Sequence, residues 1–82
     1  MKKRYFFDVH NGSGELKDET GLMLENDDVP REVARIVTDI ARDELPVDQQ
    51  RGIVTIKVRD DSGAAISVGS LTFTYVDLGQ SA

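Results

Sequence analysis

The chain contains no cysteine, only one histidine and two prolines, and no apolar run near the roughly 20 residues that a membrane helix needs. Without thiols there is no disulfide framework, no thiolate zinc site, no iron–sulfur cluster and no cysteine nucleophile. A small domain that does without such staples reads as intracellular. The start, Met1 to Phe7, is basic and then aromatic like a signal peptide, but Asp8 restores charge before an apolar stretch forms. The expectation is a soluble, cytoplasmic chain with no membrane partner. With His10 as the sole imidazole, a Ser/His/Asp device would need a serine and a carboxylate brought in by folding, and no G-x-S-x-G occurs. No enzyme and no cofactor is expected.

What is present suits a folded domain. Hydrophobic residues make up 39% of 82 and charged residues 30%, too apolar for a disordered tail. The length allows one domain, placed at 1–78, with 79–82 a frayed tail. So short a chain buries only about 60–65% of its unfolded surface, and a dimer interface would widen its narrow stability margin. Fifteen acidic residues against ten basic ones give a net charge of −5. That balance disfavours phosphate backbones unless the cations share one face.

Lys3 to His10 alternates, with Tyr5, Phe7 and Val9 on one side and Arg4, Phe6, Asp8 and His10 on the other, which predicts a strand. Asn11 to Gly14 is a turn signal. The return from Glu15 to Leu24 is broken by Asp18, Glu19 and Gly21, as in an irregular or bulged edge strand. Asn26, Asp27 and Asp28 offer helix caps ahead of Pro30. Val33, Ile36, Val37, Ile40 and Ala41 then share one helical face, opposite Arg31, Arg35, Asp39 and Arg42. Leu45 before Pro46 ends the helix near Asp43 or Glu44. Ile53 to Asp60 alternates again, Asp60 to Gly63 is a second hairpin turn, and a last strand changes phase near Gly69, which predicts a bulge there.

The predicted class is α+β: a ββαββ chain whose antiparallel four-stranded sheet carries one amphipathic helix on one face. The other face, with Arg4, Phe6, His10, Lys57 and Arg59, is left for water or a partner, and these five residues are the candidate interaction set.

The carboxylate pairs invite a metal reading, yet each has a plainer one. Asp27-Asp28 caps a helix, Asp60-Asp61 opens a turn, and Asp18-Glu19 guards an edge against strand addition. Asp8 to Glu19 has the length of a calcium loop, but the inner ligand positions fall on His10 and Gly12, and Ser13 replaces the central glycine. Tyr5, Phe6 and Phe7 behind Lys3 and Arg4 resemble the base-stacking strand of RNA-recognition sheets, a fold needing a second helix.

Arg4-Tyr5-Phe6-Phe7-Asp8-Val9-His10, Gly12-x-Gly14, Asp18-Glu19-x-Gly21 and the Val-x-Asp-x-x-Gly at the second hairpin together resemble a family of small bacterial domains of unknown function. Its members, common in rhizobia, open with Arg-Tyr-Phe-Phe. The resemblance covers most of the chain and implies a fold rather than an activity. The family places a histidine after the second phenylalanine, where this chain has Asp8. More distantly, hairpin, acidic connector and helix are similar to the amino-terminal half of HicB-type antitoxins, without their Pro-Gly-Cys step. The functional expectation is a small non-catalytic module acting by protein contact or self-association. A regulatory nucleic-acid-associated or HicB-like antitoxin role is the alternative.

Overall fold

The computed structural model describes residues 1–11, 14–44 and 51–79. The middle of the first turn, the connector after the helix and the last three residues of the expected tail lie outside that set. Strands β1 (Lys3–His10), β2 (Glu15–Leu16) and β3 (Leu22–Leu24) precede a 3-10 turn, Asn26–Asp28, and helix α1 (Val29–Glu44). Strands β4 (Arg51–Arg59) and β5 (Ala65–Thr74) follow.

The α+β class holds, but the sheet is antiparallel with five strands, not four, in the order β2-β1-β4-β5 with β3 also on β1. The correction lies in the return strand. Val9 faces Leu16 and Tyr5 faces Leu22, so three residues of β1 oppose five from Lys17 to Gly21. Two surplus residues cannot stay in a ladder, and the strand splits into β2 and β3 around an outward bulge.

The helix-facing side is the core. Tyr5 and Phe7 from β1 join Val54, Ile56 and Val58 from β4, and α1 lays Val29 and Val37 on them, with Val33, Ile36 and Ile40 at the margin. Period-2 and period-3.6 apolar patterns therefore meet where the sequence placed them. Arg35 and Arg42 both bond Asp39 on the opposite helix face.

Two local expectations change. No side chain caps the first turn; Asn26 Oδ1 instead accepts the Tyr5 hydroxyl, tying the turn to β1. The register of β5 runs unbroken through Gly69, and its irregularity sits between Val58 and Arg59. Gly69 faces Ile56 on the helix side, where a Cβ would stand 2.5 Å from Val33 Cγ1. Its missing side chain lets helix and sheet approach, and the apparent phase change is one absent core residue. The second turn forms as expected, with Gly63 at φ +90° and the Asp60 carboxylate accepting from the Ser62 and Ala64 amides.

Candidate functional site

The face of the sheet away from α1 carries the expected candidates in register. Phe6 stands opposite Arg59, Asp8 opposite Lys57 and His10 opposite Thr55, and His10 also faces Glu15. Arg4 precedes Phe6 on the same face by alternation. The sequence is thus right about which residues share this face, but not about how open it is.

Asp8 is only 2% exposed although it lies on the face away from α1. Arg59 grips its carboxylate through Nε at 2.7 Å and Nη2 at 3.1 Å, and the Asp18 amide donates to Oδ1 at 2.9 Å. The same guanidinium donates to the Asp18 carbonyl at 2.9 Å and lies 4.9 Å from the Phe6 ring centre, within cation–π range. Arg59 therefore has its donors directed inward.

Asp18 closes the gap left by the split strand. Its Oδ2 accepts from the Phe7 amide at 3.1 Å, the donor that the broken ladder leaves unpaired. Its Oδ1 accepts from the Thr20 and Gly21 amides, each at 3.0 Å. A residue read as an exposed edge guard is instead a substitute backbone acceptor; Glu19 beside it stays exposed. Gly21, at φ +76°, seats the bulge on β1: an added Cβ would lie 2.8 Å from Arg4 Cγ, 2.9 Å from Phe6 Cε2 and 3.0 Å from the Tyr5 carbonyl oxygen. Arg4 Nη1 donates to Thr20 O at 2.9 Å.

The Arg59 hydrogen bond is the largest influence on Asp8 and holds its carboxyl below the ordinary range, with the Asp18 amide adding to it against the opposing effect of burial. For Asp18 burial pushes upward, but the amides of Gly21, Phe7 and Thr20 together bring the net shift down. Both groups are charged and satisfied, an arrangement suited to holding a bulge rather than to proton transfer. Among the described residues no three of His, Asp and Glu gather as a metal site.

Of the five candidates, then, Arg59 and Arg4 are engaged by the bulge and Phe6 lies beneath Arg59, while His10 and Lys57 are exposed. Sequence reasoning passed over a different surface. Strand β5 is the outer strand beyond β4. From Ser62 to Val76 the sequence has no charge and no proline, so β5 lacks two of the devices that usually blunt an edge. Between it and α1 lies a groove of about 390 Å³ whose lining includes Pro30, Val33, Val37, Ser67, Val68 and Gly69. Beyond it Tyr75, Val76 and Leu78 are exposed by 56%, 66% and 83%. The missed signal is that uncharged run, hidden by attention to charge-bearing motifs.

A family described as a domain of unknown function (DUF6894) matches residues 4–72. No curated protein and no solved structure matches the chain.

Proposed function

The chain belongs to the DUF6894 domain family, and from that footing we propose that it is a non-catalytic contact module that binds protein by adding a strand to β5. The single observation behind this reading is the ten-residue, uncharged outer edge of β5. Strand addition supplies main-chain hydrogen bonds along such an edge, and neighbouring grooves supply selectivity. The groove between α1 and β5 is placed to do so.

The outer face enters this reading as a closed surface. Asp8, Arg59 and Asp18 satisfy one another there, which leaves few unmet donors for a partner. No observation favours the nucleic-acid or antitoxin-type alternative, since two of the cations it needs, Arg4 and Arg59, are turned to acceptors within the chain.

The test is association measured with and without nuclease treatment across a salt series. Val68→Lys, on the exposed side of β5 opposite Lys57, is expected to weaken association at least tenfold with an unchanged circular dichroism spectrum, while Lys57→Ala changes it less than twofold. Association that survives Val68→Lys but vanishes with nuclease or moderate salt overturns the edge reading in favour of phosphate contacts.

A further inference from the structure

We propose that the strand added to β5 is the β5 of a second copy, paired antiparallel about a two-fold axis at Thr72; this deepens the edge reading above and rests on it.

The argument comes from the order of side chains along the strand. Partners across β4 place Ser67, Gly69, Leu71 and Phe73 on the helix side, opposite Val58, Ile56, Val54 and Gly52. Val68, Ser70 and Thr72 lie on the other side, opposite Lys57, Thr55 and Ile53. The helix side thus runs from small to large, and Tyr75, one place past the strand end at Thr74, extends the series once pairing lengthens β5. A strand graded in this way fits itself when reversed.

A continuous sheet requires directly opposed residues to share a face, so the numbers of each pair must sum to an even value. The sum centred on Thr72 pairs like with like. On the helix side Leu71 meets Phe73 of the second copy, and Gly69 meets Tyr75, an aromatic beside a strand glycine. On the other side Val68 meets Val76, Ile66 meets Leu78, Ser70 meets Thr74, and Thr72 meets its own copy. Apolar pairs of this kind are the units that stabilise antiparallel sheets. Shifting the centre to Leu71 keeps Gly69 on Phe73 and Ile66 on Val76 but sets Val68 against Thr74 and leaves Leu78 without a partner in β5. The Thr72 register also draws in Tyr75, Val76 and Leu78, which are all exposed in the single chain.

Isologous pairing is the commonest closed symmetry and leaves no free β5 edge for further growth.

The absence of cysteine gives a clean test on the full chain. In this register Thr72 and its copy stand about 5 Å apart between Cα atoms, within disulfide reach, while the two Val68 residues are about 26 Å apart. Sedimentation at micromolar concentration is expected to give twice the 9.1 kDa chain mass. Oxidised Thr72→Cys is expected to form a covalent dimer in high yield, Val68→Cys alone to form none, and Val68→Cys mixed with Val76→Cys to form the hetero-linked pair. Sedimentation as a monomer throughout, or a dimer that links through Lys57→Cys and not Thr72→Cys, overturns the proposal. If the monomer still protects β5 amides from exchange on binding another protein, only the two-fold fails; if β5 never gains protection, the edge reading fails with it.

Discussion

Replacing Arg59 with methionine lowers the thermal midpoint by roughly 10–20 °C at neutral pH, for a domain of this size. Removing one member of a buried ion pair costs about 3–5 kcal/mol because a charge stays behind without compensation. Here Asp8 is that charge. It retains the Asp18 amide, and Arg59 is itself 17% exposed in its side chain, so the loss falls to about 2–3 kcal/mol. Methionine keeps contact with Phe6, which separates charge from packing. The pH dependence identifies the mechanism. Arg59 holds the folded Asp8 below its unfolded value, so the stabilisation is complete above the unfolded carboxylate range, near 3.9, and disappears as pH falls through the folded value. Asp18 is lowered as well and acts in the same direction. The native chain therefore loses stability on acidification, and its advantage over Arg59→Met narrows below about pH 4. An advantage unchanged from pH 7 to pH 3 would show that Arg59 contributes only packing.

Gly21→Ala is the second large effect, about 2–3 kcal/mol from a single methyl group. A side chain at φ +76° already costs roughly 1–2 kcal/mol, and the methyl then meets Arg4, Phe6 and the Tyr5 carbonyl at 3.0 Å or closer. Arg4 can swing aside, but the carbonyl belongs to the β1 backbone. Gly63→Ala is the internal control, since φ there is +90° but no atom lies within 4 Å. It loses only that conformational part, roughly 1–2 kcal/mol. Chemical denaturation of the two variants measures the difference, and equal losses would mean that the bulge does not press on β1.

Much of the fold was legible because it depends on periodicity. Tyr5, Phe7 and Val9 alternate, Val33 to Ile40 repeat as a helix, and both hairpin turns carry their Gly and Asx residues. The split of the return strand was visible as disorder in the pattern, at Asp18, Glu19 and Gly21, but its cause was not. Asp18 replaces a backbone acceptor, which requires knowing that Val9 faces Leu16 while Tyr5 faces Leu22. The Asp8–Arg59 pair joins residues 51 positions apart, beyond any local signal. Its one trace is an acidic residue inside an aromatic strand, a poor β-former that needs a partner to remain there. Gly69 misled for a related reason: a glycine in the core set looks like a phase change until the helix pressed against it is known.

On the proposed reading, contact belongs to the β5 edge and not to the face closed by Asp8, Arg59 and Asp18. Amide hydrogen exchange of the full chain, compared between dilute and concentrated solution, separates the two surfaces. The expected result is added protection from Ile66 to Leu78 at high concentration, with Arg4 to His10 and Asp18 to Gly21 unchanged. Protection gained across Phe6, His10 and Lys57 while β5 exchanges as before would contradict it.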